Sequence, residues 1–269
     1  VAHDPRNVGV RGAEGGGMLG AGRPRVNHGG GVVVVDSGVV KAELKLPALK
    51  VNYQLVTSAN RIPLMGNGTI DLECGSTTNN LARQEQVWFS TTHFVTANRF
   101  VSKRGSKIGK LADLKGKTVV STAGTTNIKQ ITEINGQQNL GMNIISANGH
   151  AEAFQMVETG RAVAFFMDDI LLYSLVASSK APGDFVVGSE AYTVEPYGAM
   201  MPRDDAGFRK VVDGATAKLY TSPEMATLYD KWFQKAIPPK GVNLNVPMSP
   251  LLKRVLANPT SSGDPAVYK

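Results

Sequence analysis

The chain has 269 residues, 42% of them hydrophobic, and a formal net charge of +7. That length allows one large or two modest domains with real cores, and the longest apolar runs, "GVVVV" and "AVAFFM", fall far short of the roughly 20 residues that span a bilayer. The single cysteine, Cys74, excludes an internal disulfide, and the four histidines (His3, His28, His93, His150) show neither metal-ligand spacing nor a pairing with the thiol.

The pI of about 9.4 suits an anionic partner. Lys and Arg are dispersed, however, and the densest run, "SKRGSKIGK" from Ser102 to Lys110, has little aromatic company. It reads as a solvated loop, and nucleic acid is not expected as a partner. The opening "VAHDPRNVG" lacks the basic and apolar regions of a signal peptide. An exported chain read after processing has the same appearance.

The first 40 residues hold 11 of the 29 glycines and show neither helical nor strand periodicity. They read as an irregular arm, followed by a possible short strand at "VVVV". "ALKVNYQLVT" then alternates like a strand. "SANRIPLMGNG" predicts a short helix with a serine N-cap and a glycine stop. "TIDLECGST" is a strand, "NNLARQEQVWF" a helix, and "STTHFVTANRFVSKRG" extended. "KLADLKGKTVVSTAGTT" gives a helical turn, a Gly-Lys turn, a buried strand and a polar loop, from which "NIKQITEINGQQNLG" starts a helix. "MNIISANGH" is strand then loop, "AEAFQMVETGR" a helix ended by glycine, "AVAFFM" a strand and "DDILLYSLVASS" a helix. "DFVVGSEAYTVEPYGAMMP" is extended, "DDAGFRKVVDGATAKLYTS" and "PEMATLYDKWFQKAI" are amphipathic helices, and the tail is loop-rich. This alternation predicts α/β architecture with mostly parallel sheets, where ligands sit at the carboxyl ends of strands and at helix N-termini.

Four junctions carry candidate chemistry. In "ECGSTTNNLAR", Ser76, Thr77 and Thr78 precede Arg83, whose planar fork matches a carboxylate; the same residues also suit a capped turn with a surface arginine. In "STAGTTN", Gly124 allows a tight turn and Thr125 and Thr126 open a helix whose free N–H groups favour an anion, or simply an N-cap. No Gly-Lys-Ser/Thr follows, which argues against a phosphate loop. In "AVAFFMDDILL", Asp168 sits where a strand gives way to a helix, placed to hold an ammonium or to cap the helix. In "NGHAEAF", His150 lies in a polar loop, where it could gain charge beside a second carboxylate. Together these suit an α-amino acid.

The same residues resemble a known family. "S-x-T-x-x-x-x-R" at Ser76, Thr78 and Arg83, "DLKGK…GTT" at Asp113 to Thr126 and "AVAFFMDD" at Ala162 to Asp169 are similar to polar amino-acid solute-binding proteins of ABC importers. "TSANRIPLMGNGTIDLECGSTTNN", "GRAVAFFMDD" and "DKWFQKAIPPK" narrow the likeness to periplasmic glutamate/aspartate-binding proteins, over roughly Val39 to the C-terminus.

The resemblance implies a two-lobed periplasmic-binding-protein fold of type II, with two crossover hinge strands near Thr91–Arg99 and Tyr192–Met201. Lobe 1 would be residues 1–95 plus 193–269, and lobe 2 residues 96–192. Arg83 would grip the α-carboxylate with Thr78 and Thr126, Ser76 and Asp168 would hold the α-ammonium, and Ser58, Arg61 and His150 would reach the side-chain carboxylate. Arg11, in "VGVRGAE", is the candidate for a family arginine near the ligand, its register open because the glycine-rich run replaces the family's first strand. The implied partners are L-glutamate or L-aspartate and an inner-membrane ABC transporter permease, for a periplasmic, monomeric protein without cofactor, metal or catalysis. The alternative is a dehydratase-like enzyme on the same fold, with His150 or Asp169 as its acid.

Overall fold

The computed structural model describes residues 54–238 and 241–269, with the strand residues β1 (Asn7–Val8), β2 (Val10–Arg11) and β3 (Lys50–Val51). The chain continues through α1 (Arg61–Gly66), β4 (Leu72–Glu73), α2 (Leu81–Gln84), β5 (Trp88–Phe89) and the long β6 (Phe94–Lys103). Then come β7 (Thr118–Thr122), α3 (Thr126–Gln137), β8 (Asn143–Ala147), α4 (His150–Glu158), β9 (Ala164–Asp168) and α5 (Asp169–Ser178). After β10 (Phe185–Val187), β11 (Val194–Tyr197) and β12 (Met200–Met201), helices α6 (Ala206–Tyr220), α7 (Pro223–Tyr229) and α8 (Pro250–Ala257) complete it.

Two mixed sheets organise most of these elements, beside a separate parallel β1–β3 pair. In one, β7 pairs in parallel with both β8 and β9, giving the parallel core expected of strand–helix alternation. Antiparallel pairs enter through β6, which borders β9, β10 and β11. The other runs β2-β4-β12-β5, parallel at β2–β4 and antiparallel elsewhere. Two segments join the sheets, β6 on the way out and β11 on the way back, and they pair antiparallel from Phe94–Tyr197 to Ala97–Val194. Among the described residues, no helix is long and apolar enough to cross a membrane.

Local chemistry explains most boundaries. Thr125 caps α3 by accepting from the Ile128 N–H at 3.2 Å, and Asp205 caps α6 through the Phe208 N–H at 2.7 Å. The Gly-Lys turn is real: Gly116 adopts φ +69°, the left-handed region open to glycine.

Four expectations need correction. Helix α1 starts at Arg61 with Asn60 in the cap position, and the reciprocal bonds of Thr57 and Asn60 form a turn before it, so Ser58 is not its cap. "NNLARQEQVWF" is helical for one turn only. Trp88 and Phe89 leave it to pair with Met200 and Met201, because the buried Phe89 is worth more in the sheet core than in a helix. The tail holds α8, started by the Ser249 cap with Pro250 at the first position and burying Leu252, Val255 and Leu256. The irregular N-terminal arm supplies strand residues after all, since β2 lies beside β4 with Arg11 opposite Glu73. The rest of the glycine-rich run and the "VVVV" lie outside the described residues.

The main core gathers around the parallel strands, and an aromatic stack extends it to the C-terminal helices. Phe94, at the start of β6, stacks on Phe233 at 5.2 Å and Tyr197 at 6.0 Å. Beside it, His93 is buried, tilted against Tyr197 at 6.2 Å, and neither ring nitrogen has a hydrogen-bond partner among the described residues. Burial pushes its pKa down to about 3.

Two outcomes follow. Phe94→Ala should cost about 3 kcal/mol or more in urea unfolding, the scale of a buried aromatic truncation; a loss under about 1 kcal/mol would mean the stack is not structural. For His93, the unfolded chain takes a proton near pH 6.5 and the folded chain only near 3. Stability therefore drains as pH falls below 6.5. Between pH 7 and pH 5 the protein should lose about 2 kcal/mol more than His93→Phe, whereas equal losses would place the acid sensitivity elsewhere.

Candidate functional site

The site assembles where the ends of β4, β7, β9 and β11 converge. After β4, residues Ser76 to Asn79 are buried. Asn80 caps the one-turn α2 by accepting from the Arg83 N–H at 2.9 Å, which turns the Arg83 side chain inward. Its Nη1 donates to the Thr78 carbonyl at 2.8 Å and its Nη2 to the Gly124 carbonyl at 3.2 Å, so Arg83 ties the Ser76–Thr78 segment to the β7–α3 loop. Burial, and next Arg61, pulls its pKa down to about 10, leaving it a cation at neutral pH.

The β7–α3 loop closes against Ser58. Gly124 has φ +76°, and a Cβ placed there would lie 2.5 Å from the Ala59 Cα and 2.6 Å from the Ser58 carbonyl oxygen. Only glycine fits this approach. Beyond it, Thr126 opens α3, with its hydroxyl 3.5 Å from that of Thr78.

Arg61, at the start of α1, is equally buried. Its Nη1 reaches the Ser76 carbonyl at 3.4 Å and the Thr77 hydroxyl, and sits 3.8 Å from Glu73. Its Nε has no hydrogen-bond partner among the described residues. Glu73 also accepts from Thr77 at 2.7 Å, and burial raises its pKa despite Arg61. His150 is the first residue of α4 rather than part of a polar loop, with its Nδ1 2.8 Å from the Thr122 hydroxyl. Burial, then Arg61, pushes its pKa down to about 4. Without a carboxylate beside it, His150 is thus held toward its neutral form.

Asp168 ends β9 in the cap position of α5, yet its side chain caps nothing. It accepts from Asn127 at 2.7 Å and from the Tyr197 hydroxyl. Both donors are neutral, and among the described residues it has no salt bridge. Burial first, and Glu195 next, raise its pKa to about 7. The neighbouring Asp169 is paired with Arg99 at 3.0 Å.

Of the residues singled out from sequence, Ser58, Arg61, Ser76, Thr78, Arg83, Thr126, His150 and Asp168 all lie buried or at these junctions. Arg11 lies on β2, and its side chain is outside the described residues. Sequence reading missed Glu73, Tyr197 and Glu195. Each is polar within an apolar strand, and Glu195 and Tyr197 share one face of β11 by the two-residue period. An acid inside "TVEPYGAMM" was the available signal. Cys74 follows β4 half-buried, its thiol pKa raised by burial, and no cluster of metal ligands exists among the described residues.

These groups suit a small zwitterion with a further anionic group: arginines and helix N–H groups match carboxylates, and Asp168 matches a cation. Comparison with known proteins agrees. Residues 35–235 match the model for bacterial extracellular solute-binding proteins, family 3. The L-glutamate/L-aspartate-binding protein of Pseudomonas aeruginosa is 55% identical over 221 residues, 82% of this chain and 73% of that protein. The glutamate/aspartate import solute-binding protein of Escherichia coli is 44% identical over 220 residues, with the same coverage. An ancestral arginine-binding protein bound to arginine superposes with a TM-score of 0.71 at 24% identity, covering 86% of this chain and all of that one, which shows the fold. The chain has the type II periplasmic-binding-protein fold and belongs to the bacterial extracellular solute-binding proteins, family 3.

Proposed function

We propose that the cleft captures L-glutamate or L-aspartate and that the protein delivers it, chemically unchanged, to an ABC transporter permease. One observation carries this reading. Asp168 is a buried carboxylate with neutral donors only, and two buried arginines stand nearby. A buried charge without a counterion is costly. An α-ammonium supplies a counterion for Asp168 and a ligand carboxylate one for Arg83, while Arg61, already 3.8 Å from Glu73, keeps its unpartnered Nε for a second carboxylate.

In this reading Arg83 takes the α-carboxylate with Thr78 and the backbone of Thr126, and Ser76 joins Asp168 at the ammonium. Arg61, Ser58 and the neutral His150 meet the side-chain carboxylate, with Arg11 a further candidate. The lobes are residues 1–95 plus 193–269, and 96–192. Their hinge is the β6–β11 pair, and closure brings Ser58–Ala59 onto Gly124. The protein works outside the cytoplasm, in the periplasm, as a monomer that needs no cofactor. The printed names of the P. aeruginosa and E. coli relatives support the ligand class. An enzyme on this fold finds little to use: Asp169 is tied up by Arg99, and His150 is held by Thr122.

Calorimetric titration tests the assignment. Arg83→Ala should weaken L-glutamate at least about 100-fold, since a buried carboxylate loses its charged partner. Arg61→Ala should weaken L-glutamate about tenfold more than L-glutamine, a ratio that cancels general damage to the fold. Near-native affinity in the first variant, or equal losses for both ligands in the second, would contradict these roles.

A further inference from the structure

Glu195 is a buried acid of the site that ligand binding does not directly use. It is 1% exposed on the crossover strand β11, and three donors converge on it. Thr126 donates its hydroxyl to Oε2 at 3.0 Å, Gln130 donates Nε2 to Oε1 at 2.7 Å, and Thr193 donates its hydroxyl to Oε1. Gln130 in turn accepts from Asn98 on β6. The first turns of α3 are thereby fastened to both crossover strands.

The proton count then has a chemical consequence. An ionised carboxylate only accepts, and a threonine hydroxyl has one proton and two lone pairs. With its proton committed to Glu195, Thr126 presents acceptor capacity to its other neighbours. Thr78, whose hydroxyl is 3.5 Å away, keeps its proton for Thr126 or for a ligand carboxylate. A ligand carboxylate at this point meets the Thr126 N–H and Arg83 rather than the Thr126 hydroxyl, whereas a ligand ammonium finds an acceptor.

We propose that Glu195 is a positioning residue that makes the site demand an amine: it fixes Thr126 as an acceptor and places a second negative charge beside Asp168. A dicarboxylate lacking the amine leaves that charge uncompensated. This deepens the amino-acid reading and rests on it. The charged and titratable groups facing the pair are Asp168 on β9, Asp169 on α5, Tyr197 on β11 and Arg83 on α2.

The test is calorimetric titration with L-glutamate and with glutarate, from pH 5.5 to 8.5, on the intact chain and on Glu195→Gln, Thr126→Val and the double variant. At pH 8 each single variant should bind L-glutamate about tenfold more weakly, and the double variant should lose less than the product of the two, because part of the Glu195 effect runs through its bond to Thr126. Glu195→Gln should bind glutarate no worse than the unmodified protein. In Glu195→Gln the acid-side loss of L-glutamate binding should move to lower pH, because Asp168 loses a like-charged neighbour; in Thr126→Val it should stay. A folded Glu195→Gln with unchanged affinity and pH profile overturns the proposal, as do additive losses in the double variant. Should Glu195→Gln fail to fold, an unaffected Thr126→Val overturns it and a tenfold loss there supports it. An unmodified protein that binds no acidic amino acid overturns the ligand reading, and this proposal with it.

Discussion

Asp168 is a carboxylate sealed from water at the end of β9, with an asparagine and a tyrosine as its donors and no salt bridge among the described residues. Hydrogen bonds soften the cost of that burial without removing it, and burial lifts its pKa to about 7. Each strand that meets there contributes to the arrangement. β9 carries the acid, α3 brings Asn127 and Thr126, and β11 brings Tyr197 and Glu195. In the proposed reading the ammonium of an amino acid resolves that imbalance.

Backbone proximity holds the two sides of the site together as much as charge does. Gly124 lets the β7–α3 loop touch Ser58–Ala59, and Arg83 bridges the same gap to the Gly124 carbonyl. The only chain segments joining the two sheets among the described residues are β6 and β11. Two paired strands join the sheets, and a glycine and an arginine bring them into contact again, the arrangement on which the proposed closure rests. The aromatic stack on Phe94 anchors one end of that pair.

Much of this was legible in the sequence. The Gly-Lys turn, the capped start of α3 and the apolar strand ending in Asp168 follow from local rules, and the site residues cluster at strand ends as α/β architecture requires. What escaped were features decided by tertiary pairing. Trp88 and Phe89 look helical until Met200 and Met201 offer a sheet edge. His150 looks solvated until α4 starts on it and Arg61 lies near. Glu195 looks like a surface acid in an extended run until Thr126 and Gln130 fold onto it. In each case the partner lies dozens of residues away, beyond the reach of any local pattern.

The central claim is that the charges of the site are complementary to those of an acidic amino acid. Thermal unfolding after stripping ligand by denaturation and refolding addresses it directly, with L-glutamate, L-aspartate, L-glutamine and L-arginine added separately. A ligand at about 100 times its dissociation constant adds about 2.7 kcal/mol, a rise of several degrees in Tm. The account predicts that rise with the two acidic amino acids alone. A rise with L-arginine, or with none of the four, would contradict it.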